Sequence, residues 1–463
     1  MRLESERVPP GRWRRTVVER QASGARFGSL HATAGEVRLL LVLPGGGCTL
    51  LITGGAEVES IVADVPAAGW AEREAHDLYG IEFLGHDPMR PLVLHSAEEW
   101  RVPVTGGGVH DVAVGPIHAG VIESGHFRFH AVGERILLLD LRLFYKHRGL
   151  EKAARGVALD QGIVYAQRAC GTCAVANSVA YAQAAETVLG LQCGIATAHA
   201  RTLLLEMERL YNHLGDLSAI CAGIGFAAGG MALAALKERA QRLNQQLFGH
   251  RFLFDTVEVG GTSIEISSAD ARRAGAEVTA IVADAGIVWR ELSFNGSVQD
   301  RLCGVGVLSH HQALRTGAVG PSARASGVDL DARSSAPDLL YPGFRSARLV
   351  DATGDVAARA EMRKIELEAT GQLLDPLLQD GIRPERGRRQ LEEQRMGFGR
   401  VESPRGETVC VVEGKSGGIE RFHLRTASYA NWPALIDVVP GNLLPEFPLI
   451  NKSFELCYAC VDR

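Results

Sequence analysis

Apolar positions near the start of the chain come as short, nearly unbroken runs, Val37 to Leu43 and Thr49 to Thr53, with Gly45-Gly46-Gly47 between them. Two such runs divided by a glycine cluster predict a β-hairpin. Gly69 to Ile81 changes character: polar and apolar residues mix over a stretch that predicts a short helix ended by Gly80. Inside it Glu72 and His76, and Arg73 and Asp77, stand four apart, the spacing of solvated surface pairs worth about 0.2–0.5 kcal/mol each.

Beyond a linker at Gly106-Gly107-Gly108 the periodicity becomes mainly helical. Val114 to Gly120 and Ile122 to Phe129 first predict a β-turn-β unit. Alanine-rich Ala174 to Leu189 then predicts a helix closed by Gly190, with Cys170 and Cys173 at its N-terminal approach. A second helix is predicted from Thr197, where Leu203, Met207, Leu210 and Leu214 form an apolar stripe. Its Glu206, Arg209 and His213 read as the salt-bridged face of an amphipathic helix. Leu217 to Leu236 is uncharged over twenty residues, long enough to span a bilayer. Eleven of those twenty are glycine or alanine, so a buried core segment is the better reading.

The arginine- and glutamate-rich run Arg383 to Arg395 predicts a solvated helix face. Gly320 to Gly327, Glu402 to Glu407 and Arg425 to Trp432 read as loops, the first carrying Arg324. The fold class expected is α+β: a small α/β N-terminal domain over 1–105, then a large, mainly helical domain over 106–463 with a small β-sheet.

The net charge of -5 and pI of about 6.3 argue against a general nucleic-acid binder, so no nucleic-acid partner is expected. Nine irregularly spaced cysteines in 463 residues are too few for a disulfide scaffold and point to a reducing compartment. No apolar run follows Arg14-Arg15, so neither secretion signal is expected and the chain reads as cytosolic.

The chemistry lies in two CxxC pairs, Cys170-Gly-Thr-Cys173 and Cys457-Tyr-Ala-Cys460. Four thiolates select soft metals: zinc, copper(I), nickel or iron–sulfur clusters. A zinc ribbon closes its two knuckles over roughly 15–20 residues, whereas these pairs lie a large domain apart. Only a complete fold can join them, which suits a buried catalytic metal better than a local staple. Core cysteines or a structural zinc remain the alternative. The lone histidines His118, His126 and His147, near glycine turns, read as hydrogen-bonded structural residues rather than a metal triad.

Trp70 to Gly80, with Phe83 to Arg90, resembles the signature end of the 30-kilodalton hydrophilic subunit of respiratory complex I, here trimmed at its N-terminal side. In that subunit the stretch docks and supports. Residues 112–463 resemble the large subunit of energy-converting, membrane-associated [NiFe] hydrogenases of the formate hydrogenlyase kind, relatives of the complex I 49-kilodalton subunit. The motifs that carry this are Gly115-Pro116 to His118, Glu123 to Phe129, His147 to Lys152, Arg168 to Cys173, the Arg324 loop, Pro404-Arg405-Gly406 and Cys457 to Arg463.

The resemblance implies a Ni-Fe centre with CO and CN ligands on iron, Cys170 and Cys457 terminal on nickel, and Cys173 and Cys460 bridging the two metals. It implies H2 splitting with Cys457 as the proton acceptor, Arg405 positioned over the open coordination site, and Glu123 first on the proton exit route. It also implies a small iron–sulfur partner with a [4Fe-4S] cluster, membrane-arm subunits, maturation factors, and a peripheral place on the inner face of the cytoplasmic membrane. Complex I homologues lack the metal cysteines and bind quinone there, so an electron-transfer subunit without active metal is the alternative. The chain departs from the family at Glu455-Leu456, where Asp-Pro usually precedes the third cysteine, and loses proline's fixed backbone. It ends at Arg463, where precursors of the family are cut after nickel insertion, so it reads as a mature or a never-processed form.

Overall fold

The computed structural model describes residues 3–94, 101–118 and 123–463. Strands β1 (Glu4–Arg7), β2 (Arg26–Thr33), β3 (Glu36–Val42) and β4 (Cys48–Gly54) form one sheet in the order β1-β4-β3-β2, and helix α1 (Trp13–Ala22) connects β1 to β2. Val42 stands opposite Cys48, so the glycine cluster closes the predicted hairpin. The apolar runs are unbroken because both faces of the sheet are covered. Leu39, Leu41 and Leu51 pack with Trp13, Val17 and Ala71, while Leu40, Leu50 and Ile52 on the other face meet Phe398, Val409 and Val411 of the large domain.

Strand β5 (Glu57–Glu59), helix α2 (Gly69–Tyr79) and strand β6 (Glu82–Leu84) follow, with Gly80 closing α2 in the left-handed conformation at φ 67°. The expected surface pairs of α2 do not form. Glu72 is buried and accepts from Ser60 Oγ (2.7 Å) and Ile61 N (2.8 Å). Arg73 donates to Arg90 O and Pro91 O, and Asp77 accepts the amides of Leu92 and Val93. Backbone groups brought by the fold outcompete partners one turn away.

Ion pairs also cross between the sheet and the large domain: Arg26 with Glu407 (Nη1 at 2.8 Å) and Arg38 with Glu413. Burial opposes the Glu407 charge, but Arg26 and Arg400 prevail and hold it at about 2, below its ordinary 4.5. The pairing therefore stabilises fully above pH ~4.5 and is lost as pH falls towards 2. The loss should reach about 3 kcal/mol. Acid titration of unfolding should show it, and Glu407→Gln should flatten the curve in that window; an unchanged pH dependence would refute the assignment.

Strands β7 (Val109–Val114), β8 (His126–Val132) and β9 (Arg135–Arg142) form a second, antiparallel sheet. Ala119, Gly120 and Ile122 of the predicted β-turn-β unit lie outside the described residues. Short helices α3 (Leu150–Ala153) and α4 (Ile163–Gln167) lead to α5 (Ala174–Leu189), which has the predicted bounds. Then come β10 (Leu191–Gln192), α6 (Ile195–Gly223), α7 (Ala227–Phe248), β11 (Gly261–Thr262) and α8 (Ser268–Ser293). Helices α9 (Gly296–Leu302), α10 (His310–Thr316), α11 (Gly320–Arg324) and α12 (Val356–Leu377) complete the helical layer.

The large domain closes with β12 (Glu385–Arg386), β13 (Arg388–Arg389), the sheet β14 (Met396–Ser403), β15 (Gly406–Lys415) and β16 (Gly418–Arg425), and helices α13 (Ala427–Val438), α14 (Phe447–Phe454) and α15 (Ala459–Asp462). The result is the α+β arrangement expected. Alanines let α5 lie directly on β14: a Cβ at Gly399 would fall 1.9 Å from Ala180 O.

Several expectations fail locally. Arg383 to Arg395 is exposed but not helical: β12 pairs with β11 and β13 with β10, because Pro384 and Gly387 break a helix that has no apolar stripe to bury. Glu206, Arg209 and His213 are fully buried rather than on an amphipathic face, and Glu206 accepts from Tyr341 Oη (2.8 Å) and Thr370 Oγ1 (2.9 Å). Glu402 to Glu407 is a tight β14–β15 hairpin turning at Pro404-Arg405, and Ala427 to Trp432 begins α13. Arg324 ends α11 instead of a loop and is buried against Glu366 (2.6 Å) and Glu402 (2.8 Å). Leu217 to Leu236 breaks between α6 and α7, with Met231 74% exposed. Among the described residues no helix is long and apolar enough to cross a membrane.

Candidate metal centre

Cys173 is the N-cap of α5, so the first turn of that helix presents free amides beside the CxxC loop. Glu208 fills them: its carboxylate accepts from Val175 N (2.7 Å) and Ala176 N (3.1 Å). One turn on, Asn212 Nδ2 donates to Thr172 O (2.9 Å), between the two cysteines. A further turn on stands Asp216. These three residues, spaced i, i+4, i+8, form one polar line along α6 facing the cysteine loop. The sequence reading picked out Glu206, Arg209 and His213 and missed this line, although polar groups at that spacing in an apolar helix were its signal.

The second pair is held just as closely. Helix α14 ends on Glu455 in the left-handed conformation (φ 49°). A proline at 456 would push Glu455 towards extended backbone; Leu456 permits the left-handed turn, which aims Glu455 O at Arg405 Nε. The start of α13 clamps both cysteines of this pair: Cys457 N donates to Ser428 Oγ (3.0 Å), and Thr426 Oγ1 to Cys460 O (3.2 Å). Glu123 accepts from Ala459 N (2.7 Å). Arg148 then joins the two pairs, donating to Arg168 O (2.9 Å), Ala169 O (2.8 Å) and Ala459 O (3.2 Å).

Cysteines 284 or more residues apart in sequence thus form one cluster. The sulfurs of Cys170, Cys457 and Cys460 lie within 4.8 Å of one another, with Cys170 and Cys457 at 3.1 Å, and Cys173 belongs to the same buried group. Hydrogen bonds from Cys173, Cys457 and Cys460 hold Cys170 well below the usual thiol range. The Cys457 thiol is pushed up, first by Cys170 and then by burial. A metal binding here displaces protons. The all-sulfur donor set fits a soft metal and not a hard one.

Arg405 covers the cluster, its Nη1 3.7 Å from Cys173 Sγ and 2.9 Å from Asn212 Oδ1, its Nη2 3.4 Å from Asp216 Oδ1. Burial works against the Asp216 charge, but Arg405, His213 and Arg363 hold it at about 2. Burial raises Glu123 above its ordinary value, against the Ala459 amide that lowers it. Of the residues read from sequence, the structure brings Cys170, Cys173, Cys457, Cys460, Arg405 and Glu123 to one place. His126 and His147 lie outside the cluster, bonded to Gly115 O and Asp462 O (both 3.1 Å).

Residues 48–105 match the family described as the respiratory-chain NADH dehydrogenase 30 Kd subunit, and residues 223–385 the 49 Kd subunit. Formate hydrogenlyase subunit 5 of Escherichia coli is 30% identical over 455 residues, covering 88% of this chain and 77% of that protein. Hydrogenase-4 component G of the same organism is 30% identical over 444 residues, covering 88% and 76%. A chain of the membrane-bound sulfane sulfur reductase, an archaeal respiratory membrane complex, superposes with a TM-score of 0.70 at 26% identity, over 77% of this chain and 99% of that one. The chain therefore belongs to the family of energy-converting hydrogenase subunits that includes formate hydrogenlyase subunit 5, in which 30- and 49-kilodalton complex I-like domains are fused.

Proposed function

We propose that this chain is the catalytic subunit of a membrane-associated [NiFe] hydrogenase complex that interconverts H2 with protons and electrons. The observation that carries this reading is the meeting of both cysteine pairs in one cluster under Arg405. Cys170, Cys173, Cys457 and Cys460 would hold nickel and iron, which when bound supply the Lewis-acidic site for H2. The residues around it have separable tasks. Cys457 would take the proton, as a terminal thiolate that lies within reach. Glu123, one residue pair away through Ala459, receives it next. Arg405 stays charged and orients rather than titrates.

We place the domain boundary at residues 105 and 106. The remaining cysteines, Cys48, Cys193, Cys221, Cys303 and Cys410, are scattered, so electrons would leave through an iron–sulfur partner bearing a [4Fe-4S] cluster. Membrane-arm subunits would hold the assembly peripherally on the inner face of the cytoplasmic membrane, and maturation factors would load it. The second reading, a complex I-like subunit without active metal, is favoured by the match to the 49 Kd family and by Glu455-Leu456.

Metal analysis of protein made in a host with hydrogenase maturation factors decides between them. Near-equal nickel and iron with H2-dependent dye reduction supports the first; zinc alone, or no metal in folded protein, overturns it. Arg148→Met should cut the bound nickel and iron about 10–100-fold, as loss of a group orienting metal ligands does, and unchanged content would count against its bridging role. Glu123→Gln keeps an oxygen for Ala459 N–H but carries no proton. It should load metal normally and slow H/D exchange by roughly 10²; exchange at the wild-type rate would remove Glu123 from the route.

A further inference from the structure

Helix α15 spans four residues, Ala459–Asp462, and contains Cys460. A helix this short has no stability of its own, so its orientation is set by what grips its ends. At its C-terminal side Arg463 is 3% exposed. Its Nη2 donates to both carboxylate oxygens of Glu74 (2.8 and 3.0 Å), and its Nε to Glu151 Oε1 (2.9 Å). The guanidinium lies over the Tyr429 ring, 4.7 Å from the centroid. Glu151 is fixed in turn by Leu424 N (3.0 Å) and His423 Nδ1 (3.1 Å). Glu74 belongs to α2, in the other domain, and α2 is tied down through Asp77 and Arg73 to residues 90–93.

We propose that Glu74 of the N-terminal domain is a positioning residue of the metal centre: paired with Arg463 and opposed by Glu151, it fixes the turn that carries Cys457 and Cys460. The N-terminal domain thus supplies a support for the cysteine cluster as well as a docking body. Removing Glu74 leaves Arg463 with Glu151 as its one remaining anion in this clasp, and Nη2 loses both of its carboxylate acceptors. Helix α15 then loosens while Cys170 and Cys173, held by Glu208 and Asn212, stay in place. The clasp is independent of which metal binds; its bearing on hydrogen chemistry rests on the function proposed above.

The test uses the full chain made without maturation factors, timed alkylation by iodoacetamide, and mass spectrometry of each cysteine. In Glu74→Gln, Cys457 and Cys460 should alkylate roughly tenfold faster than in wild type, and Cys170 and Cys173 at the wild-type rate. Buried Cys48 in β4 and Cys221 in α6, outside the clasp, report the global fold. Arg463→Lys, which keeps the charge but not the fork, should fall between wild type and Glu74→Gln. Wild-type rates at Cys457 and Cys460 in Glu74→Gln overturn the proposal, and so does acceleration at all six cysteines, which would show a general loss of fold. Failure of wild-type protein to take up nickel would overturn the hydrogenase reading and leave this comparison standing.

Discussion

On the function proposed above, serine in place of Cys460 or of Cys170 should remove nickel and iron together and leave no measurable H2-dependent dye reduction. The substitution changes one atom, so packing at these buried sites is nearly preserved. The hydroxyl, however, stays protonated at neutral pH and is a hard donor, whereas a thiol gives up its proton to a metal and is a soft one. Because the four sulfurs meet in one cluster, loss of one donor should open the shared site, and neither metal should be retained. Cys410→Ser is the control. Cys410 is equally buried but lies in the main apolar core, and its substitution should cost about 1 kcal/mol of stability and no metal. Elemental analysis and the dye assay check both; a Cys460→Ser protein that keeps nickel and iron would end the four-ligand assignment.

Arg405→Lys should lower H2 turnover about 10²-fold with metal content near wild type. Arginine here serves four acceptors at once: Cys173 Sγ, Asn212 Oδ1, Asp216 Oδ1 and Glu455 O. An ammonium carries the same charge but not the fork that reaches them together. It would be drawn to Asp216, held ionised at about 2, and leave the sulfur side uncovered. Because the cysteine backbones are held by Arg148, Glu208, Ser428 and Thr426, the cluster should still load. Turnover equal to wild type would remove Arg405 from the chemistry, and loss of metal would make it a support of the cluster.

How much was legible in the sequence depends on where each signal lives. The bounds of α5 and the β3–β4 hairpin were written locally, in an alanine run ended by Gly190 and in three glycines between apolar runs. The cysteine spacing gave the candidate donors, since CxxC is a local motif. Charges misled, because spacing within an element says nothing about partners outside it. Asp77 sits four residues from Arg73 yet binds amides at 92 and 93. Glu206, Arg209 and His213 looked like a wet face and are dry, because α12 and the segment around Tyr341 bring partners from more than a hundred residues away. Arg148, Glu208 and Asn212 act through main-chain oxygens and amides of the cysteine loops, and such contacts leave no residue-type pattern to read.

The central strands β3 and β4 are apolar on both faces, and the outer face is completed by Phe398, Val409 and Val411 with the crossing pairs Arg26–Glu407 and Arg38–Glu413. Exchange of parts between relatives is constrained by this. A chimera that takes its first hundred residues from another member inherits a leucine-rich surface cut to a different mate, together with arginines whose carboxylates stayed behind. The two parts must therefore be inherited as a matched set, and a workable splice would have to carry the hairpin strands β14 and β15 across with the N-terminal sheet.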